Sequence, residues 1–154
     1  PAGATLDILV ENLGRINFGA KLAEDHKGIS RSVKLGQQEL LDWSIYSLPL
    51  AQLDRLQATL EVAGGPVFFR GQLKLDKPVD SFLDTRGWGR GQVWVNGRLL
   101  GRFWHIGPQQ TLYLPAAWLK AGDNQVTLLT HQPPAHELRL QGLANPVFDT
   151  PGIN

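Results

Sequence analysis

The chain has 154 residues, 42% hydrophobic and 19% charged, a globular composition that excludes a charge-rich disordered segment. Fifteen basic residues against fourteen acidic ones leave +1, and the basic residues are scattered, so neither nucleic acid nor an anionic membrane is an expected partner. Cysteine is absent, which excludes a disulfide framework and a thiolate metal site, and no apolar run approaches the roughly 20 residues that span a bilayer.

The opening Pro-Ala-Gly-Ala-Thr has neither the basic nor the apolar region of a signal peptide, and it reads as the interior of a longer polypeptide. Thr5–Val10 (TLDILV) is a β-prone run closed by Glu11-Asn12-Leu13-Gly14. Residues 28–36 alternate loosely between apolar and polar, and Leu40–Leu48 (LLDWSIYSL) supplies another strand-like stretch. Leu50, Leu53, Leu56 and Leu60 recur at a spacing of three to four, which suits a short helix or a turn-rich excursion. After Gly64-Gly65-Pro66 the period changes to two. Val67, Phe69, Leu73 and Leu75 point one way with Gly71, and Phe68, Arg70, Gln72 and Lys74 the other, which predicts a half-buried strand.

Val79–Asp84 is a further strand. Gln92–Val95, Asn96-Gly97 and Arg98–Arg102 predict a hairpin, because Asn-Gly supplies both positive φ angles of a type I′ turn whose twist matches its strands. Thr111–Leu114 and Asn124–Thr130 are strands joined by PAAWLKAGD, one helical turn closing on Gly122, and His136–Leu140 is a weaker last strand. Seventeen glycines and ten prolines punctuate these runs. The pattern is an all-β, two-sheet sandwich of roughly eight or nine strands with one or two short helical turns. No repeat or linker divides it, so residues 1–154 read as one domain.

Two blocks carry a resemblance. Residues 6–19 read LDILVENLGRINFG and residues 87–119 read GWGRGQVWVNGRLLGRFWHIGPQQTLYLPAAWL. Both resemble the C-terminal jelly-roll, galactose-binding-like region of glycoside hydrolase family 35 β-galactosidases, and Gly122, Asp123 and Asn124 extend the match. The resemblance implies a non-catalytic β-sandwich domain from a larger enzyme of carbohydrate metabolism. Its partner would be an upstream catalytic (β/α) barrel holding two glutamates, and the parent enzyme would be secreted or periplasmic and soluble. A barrel alone needs about 250 residues, so this chain has no room for one. Retaining hydrolysis needs two carboxyl groups about 5 Å apart, and Glu11 is the one glutamate inside a matched block, so no catalytic residue is assigned.

Within the blocks, Trp88, Arg90, Trp94, Asn96, Arg102, Trp104 and Gln109 are candidates either for carbohydrate binding or for the interdomain face. Gly87, Gly89 and Gly91 suit a tight loop of positive φ in which Trp88 caps the sandwich; alternatively Trp88 is a platform for the apolar face of a pyranose. The loop lacks the glycine spacing of a dinucleotide site and enters a strand. Trp94, Phe103 and Trp104 suit core or interdomain packing, and Trp94 alternates with Val93 and Val95, so one of those sets faces outward. Arg102, with Gly101 before it and Pro108-Gln109 after it, can fix a loop through carbonyls or meet sugar hydroxyls, and Gly107 and Pro108 shape that loop. Glu11, Asn12, Arg15 and Asn17 shape the turn around Gly14 by side-chain to backbone bonds, or meet the catalytic domain, and Gly97 completes the hairpin turn. His26, His105, His131 and His136 lack metal spacing, Asp76, Asp80 and Asp84 lack the EF-hand pattern, and neither a metal nor a cofactor is expected. Two functions compete: a structural companion of the barrel, and an autonomous module for galactose-containing saccharides.

Overall fold

The computed structural model describes residues 3–14, 16–57, 64–132, 134 and 139–148. The chain divides into two compact units, Pro1–Pro49 and Leu50–Asn154. The sandwich expected over the whole chain is confined to the second.

In the first unit, strands β1 (Lys34–Leu35) and β2 (Gln38–Glu39) form a minimal antiparallel hairpin across Gly36, whose φ of 61° a side chain would resist. A 3-10 turn spans Leu22–Glu24, followed by the Lys27–Asp25 ion pair at 3.0 Å, and the Asp25 carboxylate also accepts from the Ile16 N–H at 3.3 Å. None of the described residues of this unit is buried. Thr5–Val10 and Leu40–Leu48, expected as strands, form none, because no second segment lies alongside to complete a ladder among the described residues.

In the second unit, a 3-10 turn at Leu53–Arg55 follows the leucine spacing, and the Arg70 side chain donates to the Leu53 carbonyl. Seven strands follow: β3 (Val67–Leu75), β4 (Ser81–Asp84), β5 (Arg90–Val95), β6 (Arg98–Trp104), β7 (Thr111–Leu114), β8 (Gly122–Thr130) and β9 (Gly142–Leu143). They build a four-stranded sheet in the order β3-β8-β5-β6 and a three-stranded sheet in the order β7-β4-β9, antiparallel throughout. Among the described residues nine strands, with three 3-10 turns, make the fold all-β and galactose-binding-like, with one helical turn more than expected. Of the expected last strand His136–Leu140, residues 136–138 lie outside the described residues, and Arg139 and Leu140 are not in a strand; β9 is the strand that joins β4.

The alternation of β3, β5 and β8 fills the space between the sheets. Val93, Val95, Leu83, Leu114 and Leu128 are at most 1% exposed, with Phe69, Leu73 and Leu75 of β3 packed against them. The Asn-Gly turn takes the expected form, Asn96 at φ 50° and Gly97 at φ 78°. A bulge between Val93 and Trp94 shifts the β5–β6 register, so Val93 pairs with Gly101 and Trp94 with Leu99. No helix among the described residues is long and apolar enough to cross a membrane.

Candidate functional site

The candidates separate by position. Trp88 is buried in the core, edge-on to Phe69 with centroids 5.2 Å apart. Gly87 and Gly89 flank it at φ 82° and 74°, its N–H reaches the Thr85 carbonyl, and its carbonyl accepts from Thr130 Oγ1 at 2.9 Å. Its indole therefore presents no open face to a sugar. The indole N–H is buried without a hydrogen-bond partner among the described residues. Gly91 departs from the expected positive-φ loop: it sits inside β5, where a Cβ would lie 1.8 Å from the Leu129 carbonyl oxygen and 2.9 Å from Phe103 Cζ. Close strand approach, not turn geometry, demands glycine there.

Asn96 is also enclosed by the fold. Its Nδ2 donates to the Trp118 carbonyl at 2.8 Å and to Asn124 Oδ1 at 2.9 Å, while its Oδ1 accepts from the Gln125 N–H at 3.0 Å. Asn124 is fully buried; its Oδ1 accepts from the Lys120 N–H and its Nδ2 donates to the Lys120 carbonyl at 2.8 Å. Together they join the β5–β6 turn to β8 and its approach. Gln109 donates to the Thr111 carbonyl at 2.9 Å and bridges to Phe148. Its neighbour Gln110, not singled out from the sequence, is the buried one. It donates to the His105 carbonyl, and its own carbonyl accepts from the Thr85 N–H and hydroxyl. The cis Gly107–Pro108 bond precedes it, and a Cβ on Gly107 would meet the Gln110 amide at 2.8 Å.

The remaining candidates share the outer face of the four-stranded sheet. Phe68, Leu129, Gln92 and Arg102 form one row, and Arg70, Thr127, Trp94 and Leu99 the next. Trp94 is 5% exposed and packs on Phe68 at 6.4 Å, on the side away from Val93 and Val95. Beyond the first row, Arg90 pairs across with Trp104, its guanidinium 4.8 Å from the ring centroid. Trp104 is 42% exposed and Arg102 is exposed beside it. Arg90 occupies an indole face that a stacked pyranose would need.

Elsewhere, Gly14 takes φ 63°, Glu11 and Asn12 each make a polar or electrostatic interaction, and Asn17 is exposed. Arg15 lies outside the described residues. Asp84 grips Arg86 through two carboxylate oxygens, Nη2 to Oδ2 at 2.7 Å, and this pairing holds its carboxyl below the usual range against the opposing effect of burial. Asp80 accepts from the Ala116 N–H at 2.7 Å, stapling the 3-10 turn Ala116–Trp118, and its bond with Tyr113 raises that phenol's pKa. Among the described residues no group of three or more His, Asp or Glu is placed to hold a metal ion. A crevice of about 140 Å3 between Leu50–Asp54, the turn residue Gly97 and the β8 residues Gln125 and Thr127 contains no aromatic candidate.

This geometry has relatives. Residues 66–124 match the galactose-binding domain of β-galactosidases, and residues 1–49 match the first all-β domain of the same enzymes. The chain belongs to the β-galactosidase family. It is 46% identical to a β-galactosidase from Xanthomonas manihotis across 74% of the chain and 19% of that protein. It is 43% identical to human β-galactosidase-1-like protein 2 across 79% of the chain and 20% of that protein. A β-galactosidase 1 from Dictyostelium discoideum is 40% identical across 94% of the chain and 23% of that protein. The chain thus spans about a fifth of the length of these relatives. The two family matches also respect the division between the units, ending at residue 49 and resuming at residue 66.

Proposed function

We propose that the chain is a non-catalytic accessory region of a longer β-galactosidase of carbohydrate metabolism, secreted or periplasmic, and that it packs on and stabilises a catalytic barrel elsewhere in the same polypeptide. The observation that carries this reading is the match to the galactose-binding and first all-β domains of β-galactosidases by a chain that spans about a fifth of its relatives' length. The roles of the motif residues support it. Trp88, Gly91, Asn96 and Gln109 are taken up by core packing, strand approach and loop bonds. Removing residues 50–154 from the parent enzyme is expected to lower its melting temperature and its galactosidase activity together. A truncated enzyme that stays folded and fully active overturns the reading.

Trp104 favours a second reading, an autonomous carbohydrate-binding module for β-galactosides, because it is half-exposed with the exposed Arg102 on the same face of the sheet, although Arg90 covers one side of its ring. Titration of the isotopically labelled chain with galactose or lactose would then move the Trp104 indole resonance. No shift at millimolar sugar ends that reading.

A further inference from the structure

We infer that Asn96 is a latent modification site: the fold holds its carboxamide out of reaction, and unfolding frees it to deamidate with Gly97, which weakens the β5–β6 turn for good. Asn96 is the one asparagine of the chain that is followed by glycine. Glycine has no side chain to shield its amide nitrogen, and its permissive backbone lets that nitrogen swing onto the preceding carboxamide. In an open chain the Gly97 nitrogen attacks Asn96 Cγ. The N–Cγ bond forms, the Cγ–Nδ2 bond breaks, and Nδ2 leaves as ammonia with the proton from the Gly97 nitrogen. Solvent water then opens the cyclic imide at either carbonyl. One product is aspartate at position 96. The other is isoaspartate, in which the main chain runs through Cβ and gains an atom.

The turn itself favours this labile pair, because φ values of 50° and 78° suit asparagine followed by glycine. Hydrogen bonds supply the protection. Asn96 Nδ2 donates to the Trp118 carbonyl at 2.8 Å and to Asn124 Oδ1 at 2.9 Å. Its Oδ1 accepts from the Gln125 N–H at 3.0 Å, and its own N–H donates to the Gln125 carbonyl at 2.9 Å. Both ends of the carboxamide are thereby tied to residues 118–125, and Cγ cannot turn toward the Gly97 nitrogen until those bonds open. The same bonds reject the product. An ionised aspartate only accepts, so the oxygen replacing Nδ2 would face two acceptors, the Trp118 carbonyl and Asn124 Oδ1. Asn124 is fully buried and cannot relieve this by rotating its amide. Its Nδ2 donates to the Lys120 carbonyl at 2.8 Å and the Gly122 carbonyl at 3.2 Å, while its Oδ1 accepts from the Lys120 N–H at 2.9 Å. Isoaspartate fares no better, since it adds a main-chain atom to a tight turn closed by the pairing of Val95 with Arg98.

Peptide mapping by mass spectrometry, on the 154-residue chain aged at neutral pH in buffer and in guanidinium, tests this. In guanidinium Asn96 should be converted ahead of every other asparagine. In buffer its conversion should be at least about a hundredfold slower, and it should rise across the unfolding transition with the unfolded fraction. After dilution back into buffer, the converted chains should unfold at a lower guanidinium concentration than the unconverted ones. The encoded product, Asn96→Asp, should lower the ratio of folded to unfolded chain at least about tenfold, and a variant that fails to fold agrees with that loss. Conversion in buffer within about tenfold of that in guanidinium overturns the inference, because the hydrogen bonds then protect nothing. So does another asparagine that reacts first, and so does a converted chain or an Asn96→Asp variant that unfolds at the parent's midpoint.

Discussion

The two units are built from similar letters and reach different ends. Residues 67–75 and residues 40–48 are both rich in large apolar and β-prone side chains. The first becomes β3, because β8 pairs with it along nine residues and the opposite sheet covers its inner face. The second stays without a strand, and Ile45 and Tyr46 remain open to solvent. Strand propensity is thus a readiness that partners convert into structure, and the contrast is one of available partners, not of composition.

That contrast can be broken by substitution, with denaturant unfolding of the 50–154 unit as the measure. Gly91→Ala should have the largest effect, about 4 kcal/mol or more, because the obstacle is the Leu129 backbone and not a movable side-chain tip. Leu128→Ala empties a site 1% exposed between the sheets and should cost about 3 kcal/mol. Asn96→Ala takes the side-chain acceptor from the Gln125 N–H and the side-chain donor from the Trp118 carbonyl and should cost about 2 kcal/mol.

Acid gives a smaller and signed effect. The folded-state pKa of Asp84 is depressed, so its contribution is complete above the unfolded carboxylate pKa and is lost as pH falls through the folded value. Arg86 is half-exposed, which limits that contribution to below about 1 kcal/mol. Stability curves of Asp84→Asn and the parent chain should therefore converge below about pH 4. Ile45→Ala, in the other unit, should be smallest, within about 0.5 kcal/mol in unfolding of the 154-residue chain, since the side chain is 91% exposed. A large effect there would erase the distinction between the units.

Much of the sandwich was legible. Period-two alternation marked β3 and Asn-Gly marked the β5–β6 hairpin within a residue or two, whereas the helical turn expected to close on Gly122 ends at Trp118 and Gly122 opens β8. Alternation sorts residues into two faces without saying which is the core, so the outward packing of Trp94 on Phe68 awaited the structure. The buried polar residues Asn124 and Gln110 were hidden for another reason. Their partners Asn96 and Thr85 lie 28 and 25 residues away, and only the fold brings them together. Of the candidate surface, the family blocks pointed to Arg90, Arg102 and Trp104, but no local pattern gives the stacking of one on another. The division at residue 49 left no composition shift, because both units draw on the same apolar and β-prone residues.

The bulge opposite Val93 and Trp94 has a consequence for how this chain tolerates change. Leu99 lies outward opposite Trp94, and Arg102 and Trp104 also lie outward opposite Gln92 and Arg90, although 99 and 102 differ in parity. The extra residue between them, Leu100, turns toward the core, and Gly101 faces Leu112. One strand therefore serves both surfaces in two phases. Evolution can lengthen or shorten β6 beyond its ends, but a single-residue insertion or deletion between Gly101 and Trp104 would transpose Phe103 with its neighbours and turn the inner lining out.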